Sequence, residues 1–180
     1  MVMFRNTTEK YGLVSKLLHW LIAFSIIGLI GLGWWMVGLS YYDKWYHQGL
    51  ELHRAIGMLV LFMATIFIGW KMLSPSPALQ SSLNPLEKMG AQSVHIILLL
   101  AMFIIPITGY VISTSSGSGF TFFNVFDIPA IAIIAEAIRD LAISIHFYLA
   151  YGIAAIVVLH AGAALKHQFI DKKGTLKRML

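Results

Sequence analysis

The stretch HFYLAYGIAAIVVLH, from His146 to His160, sets two histidines at the ends of thirteen mostly apolar residues, inside a longer apolar segment. On an α-helix fourteen positions make nearly four turns, so the two imidazoles leave the axis about 40° apart in azimuth and roughly 21 Å apart along it. That separation places one near each edge of a hydrocarbon core about 30 Å thick. A histidine within a membrane helix is costly without a partner, which makes each a functional-site candidate. Taken alone the stretch allows two readings: axial ligands for two stacked prosthetic groups, or side chains that hydrogen-bond neighbouring helices.

Composition narrows the class. Of 180 residues, 58% are hydrophobic and 12% charged, too apolar for an ordinary soluble domain and too short for more than one small bundle. The chain therefore reads as a single integral-membrane domain over residues 1–180. It has no cysteine, which excludes disulfides, thiolate ligands, iron–sulfur clusters and covalently attached c-type haem, and leaves histidine, methionine or oxygen to hold any metal. The net charge of +5 is explained by its distribution about a membrane, and nucleic acid is excluded as a partner.

Four apolar runs predict four transmembrane helices, over residues 17–39, 53–73, 89–112 and 142–165. The first follows a polar segment carrying Arg5, Lys10 and Lys16, has no A-x-A-like cleavage site and reads as a retained span. Trp34, Trp35, Tyr41, Tyr42, Trp45 and Tyr46 mark its far interface, where amphipathic rings favour the headgroup level. SYYDKWYHQGLEL reads as a loop into the second span, which SPSP ends at Ser74–Pro77. The third contains His95, Pro106 and Gly109, with a kink expected at the proline. STSSGSGFTFFNV then reads as a loop, and the helical spacing of IPAIAIIAEAIRDLA predicts an amphipathic surface helix over residues 129–141.

Ten Lys and Arg residues (Arg5, Lys10, Lys16, Lys71, Lys88, Lys166, Lys172, Lys173, Lys177 and Arg178) fall on the side of the termini, against Lys44, Arg54 and Arg139 on the other. Basic residues concentrate on the cytoplasmic side of membrane proteins, so both termini are expected in the cytoplasm.

With that threading, His19 and His160 share a level near the termini, and His53 and His146 share the opposite one. Only these pairs can face each other, an arrangement that suits two b-type haems, each with bis-histidine ligation. The residue one turn beyond each of the four is small: Ala23, Gly57, Ala150 and Ala164. A macrocycle lying against a helix needs that clearance. His47, His95 and His167 are followed instead by Glu51, Leu99 and Asp171. The pattern favours haem over histidines acting as helix glue. Arg54 is a candidate for pairing a haem propionate, since guanidinium binds carboxylate bidentately, or else it snorkels to the interface. His95 is read as touching a propionate, a quinone oxygen or a neighbouring helix; His47 as solvated in a loop; and His167 as interfacial or on the propionate side.

KLLHW (16–20), ELHRAIGMLVL (51–61), SVHIILLLAMFIIPITGY (93–110) and HFYLAYGIAAIVVLHAGAALKHQFIDKKGTLKRM (146–179) resemble the bacterial cytochrome b561 family over nearly the whole chain, least so over residues 115–140. The resemblance implies an all-α, four-helix bundle in the bacterial cytoplasmic (inner) membrane. It implies two b haems, ligated by His19 with His160 and by His53 with His146, and electron transfer between a membrane quinone and a partner. The expected partners are membrane lipid, a quinone and an electron donor or acceptor protein, with room for a homodimer. Bis-histidine ligation leaves no open iron position, so one-electron cycling is expected. Whether the protein also counts as an enzyme, a quinone oxidoreductase, is left open. Two alternatives remain: a haem-bearing membrane anchor that docks a periplasmic oxidoreductase, and a transporter or scaffold without haem.

Overall fold

In the computed structural model, which describes residues 3–79 and 82–180, the four apolar runs become four long helices: α1 (Leu13–Val37), α2 (Lys44–Leu73), α3 (Pro85–Thr114) and α4 (Glu136–Leu165). At 25 residues for α1 and 30 for each of the others, their lengths are about 38 to 45 Å. Each exceeds the hydrocarbon thickness of about 30 Å and projects beyond it. All four are long and apolar enough to cross a membrane.

The signals that start and stop these helices are local. Asn84 caps α3: its Oδ1 accepts from the Glu87 N–H at 2.8 Å while Glu87 Oε2 accepts from the Asn84 N–H at 3.0 Å, with Pro85 as the first helical residue. Lys71 and Ser74 close α2. α3 runs through Pro106 to Thr114.

The helices alternate in direction. Asn6, ahead of α1, donates from its N–H to Ser74 Oγ at 2.8 Å at the end of α2. Lys173, beyond α4, pairs with Glu87 at the start of α3 at 2.9 Å. Both termini therefore lie on one face, called here the terminal face; the α1–α2 and α3–α4 connections lie on the far face. α1 packs on α2, α2 on α3 and α3 on α4, and α1 and α4 close the ring with a sparser contact. A narrow seam at mid-depth, Ile22, Val60, Met63, Ala64 and Met102, holds the bundle, with Ile26, Leu29, Leu59, Phe67 and Phe103 around it. Side chains such as Phe24, Phe62 and Val158 point outward, as lipid-facing positions do.

Two expectations are corrected. Residues 44–52, read as a loop, form the first turns of α2, so His47 is helical and its ring lies 5.0 Å from Tyr41 and 5.4 Å from Tyr46. There is also no surface helix over residues 129–141. Its last six residues, 136–141, are the start of α4, and before them lies an antiparallel hairpin, β1 (Phe120–Phe122) and β2 (Phe126–Ile128). The reason is where the backbone bonds go. The Ile134 N–H donates to Ser115 O at 3.0 Å and Tyr110 Oη donates to Pro129 O at 2.8 Å, so the end of α3 satisfies groups that a surface helix would have paired internally. Glu136 and Asp140 then fall in the first turns of α4, where negative charge complements the helix dipole.

Candidate functional site

On the far face, His53 of α2 and His146 of α4 turn toward each other with ring centres 6.1 Å apart and planes at 63°. Two imidazoles flanking one metal ion, at the metal–nitrogen distance of about 2 Å usual for histidine ligands, have ring centres about 6 Å apart. Beside them lies a cavity of about 230 Å³, lined among others by His53, Arg54, Gly57, Gly109, His146 and Ala150. Gly57 and Ala150, one turn beyond each histidine, supply the clearance. The His146 Nδ1 lies 3.0 Å from Ile105 O, a carbonyl that can only accept, so Nδ1 carries the proton and Nε2 the free lone pair. Thr108 Oγ1 is 3.2 Å from the same nitrogen.

Two buried atoms in this region, His53 Nδ1 and Arg54 Nε, have no hydrogen-bond partner among the described residues. An orphaned buried donor is costly. The Arg54 guanidinium stacks 5.8 Å over the Phe120 ring of the hairpin. An apolar slot between two imidazoles, with an arginine at its rim, fits a flat apolar group that carries acidic substituents and a central metal.

On the terminal face, His19 of α1 and His160 of α4 repeat the pairing with ring centres 6.3 Å apart and planes at 55°. These two residues sit on helices that meet only sparsely. The surroundings differ. His95 of α3, itself exposed on the flank of the bundle, places its ring 5.5 Å from His160, and Trp20 lies 5.4 Å from His19. Below, Trp20 Nε1 donates to Met179 O at 2.8 Å, so the C-terminal segment closes over this end.

Residues 10–180 match the prokaryotic cytochrome b561 family. The chain is 45% identical over 177 residues to cytochrome b561 homolog 2 of Escherichia coli (strain K12), covering 98% of this chain and 94% of that protein. It is 28% identical over 180 residues to the probable superoxide oxidase CybB of Yersinia pestis, covering 96% of each. The chain belongs to the prokaryotic cytochrome b561 family. As a cytochrome b561 it is a multi-pass bacterial membrane protein of electron transfer, and its family implies a b-type haem, which the two histidine slots fit.

Of the residues singled out in the sequence of this cytochrome b561, the structure gathers His53, His146 and Arg54 at one end and His19, His160 and His95 at the other. His167 is at neither. It joins Asp171 at 2.6 Å in a network where Lys166 pairs with Asp171 at 2.7 Å and Lys173 with Glu87 at 2.9 Å. Glu87, His167 and Asp171 have metal-ligand spacing, but the two lysines already neutralise the carboxylates, and the network reads as a clasp between the tail and α3. Asp171 is held below the usual carboxylate range by its bonds from Lys166 and then His167. Gly33, Thr108 and Gly109, all within reach of far-face histidines, carry no ligand chemistry of their own, and the sequence reading, which names Gly109 only as part of the third span, gives none of them a place in the site. The available signal was depth: Gly33 lies level with His53 and Gly109 with His146.

Proposed function

We propose that this cytochrome b561 holds two b haems and passes single electrons between a membrane quinone and a partner at the far face. The observation that carries the reading is the repetition of one histidine–histidine separation, 6.1 and 6.3 Å, at two depths of the same bundle. In this reading His53 and His146 hold one haem and His19 and His160 the other. Haem bound in these slots supplies reversible one-electron oxidation and reduction at its iron. The residues of the chain would do the rest: the four histidines would hold the iron, Gly57, Ala23, Ala150 and Ala164 would leave clearance for the group, and Arg54 would pair with its carboxylate.

His95 supports quinone exchange at the terminal-face site. Of the histidines at the two sites it is the exposed one, so its imidazole can meet a carrier and hold or release a proton at a quinone oxygen. The basic terminal face supports an orientation with both termini in the cytoplasm. The far-face partner is then periplasmic. Superoxide, the substrate in the name of the Yersinia pestis relative, is one candidate donor there. A docked oxidoreductase is the other, favoured by the hairpin, which lays Phe120 against Arg54 and leaves Val125 and Phe126 exposed.

The experiment is a haem-to-protein ratio and optical spectrum of the purified protein, followed by stopped-flow reduction by a quinol in reconstituted membranes. Two low-spin b haems, at least one reduced by quinol, are expected. Native-fold protein without haem, or saturation at one haem, overturns the di-haem reading; failure of every quinol beside rapid reduction by a co-purifying protein moves the function to the docking anchor.

A further inference from the structure

The far-face histidines share a feature that the terminal-face histidines lack. A Cβ placed on Gly33 of α1 would meet His53 Cε1 at 3.2 Å and Nδ1 at 3.7 Å, and nothing else within 4 Å. A Cβ on Gly109 of α3 would meet His146 Cε1 at 3.2 Å and Nδ1 at 3.5 Å, again with no other neighbour. Each imidazole thus lies edge-on against the bare backbone of the preceding helix. The two contacts are independent, on different helix pairs, and both touch the same edge of the ring. Elsewhere in the same membrane helices Gly28, Gly31, Gly57, Gly69 and Gly90 would meet nothing within 4 Å, so close approach is not general to glycine here.

On the α3 side the cradle continues. Thr108 Oγ1 donates to Ile105 O at 2.8 Å and lies 3.2 Å from His146 Nδ1, which itself donates to Ile105 O at 3.0 Å. The Nδ1 proton is shared between a carbonyl and a hydroxyl that are already tied together. Such a partner fixes the ring plane and raises the basicity of the other nitrogen. At the corresponding place before Gly33 stands Leu32, which offers no hydroxyl, and His53 Nδ1 has no partner among the described residues.

We infer that Gly33 and Gly109 are paired positioning residues that set the imidazole planes of the far-face site, and that Thr108 tunes the electron donation of His146 alone. The inference rests on the proposed reading of His53 and His146 as haem ligands. It makes the far-face site asymmetric: one ligand hydrogen-bonded and electron-rich, the other held by packing only.

The test uses the full-length haem-loaded protein, with the terminal-face haem as an internal reference in every sample. Low-spin electron paramagnetic resonance and a redox titration followed optically are recorded for Gly33→Ala, Gly109→Ala, Thr108→Val and Thr108→Ser, with Gly31→Ala and Gly90→Ala as controls. Expected are altered far-face g values in Gly33→Ala and Gly109→Ala, because the 3.2 Å contacts must open by a few tenths of an ångström, and unchanged signals in both controls. Thr108→Val raises the far-face midpoint potential, since a less basic ligand favours the ferrous iron, and Thr108→Ser restores it. If both alanine variants carry two haems with wild-type g values, the positioning role is overturned; if Thr108→Val leaves the potential where it was, the tuning role is. Should one glycine variant lose both haems, the other decides the positioning role, while the threonine pair, a substitution of nearly equal volume, decides the tuning role. A wild-type protein lacking a far-face haem fails earlier, at the proposed function, and takes this inference with it.

Discussion

The two histidine pairs have nearly the same ring separation and very different walls. The far-face pair is set between glycines, with one ring tied to Ile105 and Thr108 and a cavity whose wall toward the hairpin carries Arg54 stacked on Phe120. The terminal-face pair lies between α1 and α4, with the exposed His95 alongside and the C-terminal segment beneath. Identical histidine pairs therefore do not have identical surroundings. Backbone contact and a shared hydrogen bond fix a ring, whereas the pair without them has an exposed imidazole beside it. On this contrast the proposed reading gives the far-face site fixed geometry and the terminal-face site exchange.

The harshest way to break the comparison is to remove ligands one at a time. His53→Ala or His146→Ala should each take away the far-face haem and leave the other, halving the haem-to-protein ratio; His19→Ala or His160→Ala should do the converse. Optical difference spectra distinguish the two sites. If His19→Ala and His53→Ala erase the same spectral component, the division into two pairs is wrong.

A second substitution separates access from ligation. His95→Ala should retain both haems and their spectra while slowing quinol reduction about tenfold, the lower end of what outer-shell partners of metal ligands contribute. Unchanged stopped-flow rates at matched haem content would remove His95 from the exchange site and leave it as a neighbour of His160 only.

Between the sites, Ala64 is fully buried in the seam where α1, α2 and α3 meet. Ala64→Leu inserts three carbons into that seam and should cost about 1–3 kcal/mol. Because the seam lies at mid-depth, thermal loss of the two haem signals should shift together. A shift confined to one haem would mean that the two halves of the bundle unfold separately.

Much of this was readable before any coordinates. Four apolar runs, the aromatic belt and the charge asymmetry gave four spans, since helices in lipid must satisfy their own backbone and the sequence needs only length and hydropathy to say so. Depth along an antiparallel bundle then brought His19 to His160 and His53 to His146. The sequence misled where polar residues did not mean a loop: Lys44, Gln48 and Glu51 are the projecting turns of α2, beyond the hydrocarbon, where a helix can be polar. It misled again at residues 129–135, whose Ile and Ala spacing has helical period but whose backbone is captured by Ser115 and Tyr110. The positioning glycines were invisible for a related reason, since Gly33 is informative only through a side chain on another helix.

The smallest expected effect lies outside the membrane, in the clasp that ties the tail to α3 at the terminal face. Asp171 Oδ2 accepts from Lys166 Nζ at 2.7 Å and lies 2.6 Å from His167 Nδ1, and these contacts hold its carboxyl below the usual range. In an unfolded or detached tail the same carboxyl titrates normally. A depressed folded value means that the clasp is complete above the ordinary aspartate range and is lost only as pH falls through the lower folded value. The amides that report on it are Asp171 N–H to Lys166 O at 3.0 Å and Lys173 N–H to His167 O at 2.8 Å. Hydrogen exchange of this segment, corrected for the intrinsic effect of pH, should show protection that holds from neutral pH through the beginning of carboxylate titration and falls off below it. In Asp171→Asn, protection should already be reduced at neutral pH, with both haem spectra unaltered. Protection that instead fades across the ordinary carboxylate range would show that Lys166 and His167 stabilise nothing, and the tail would be held by its other contacts, such as Trp20 Nε1 to Met179 O and Lys16 Nζ to Leu180 O.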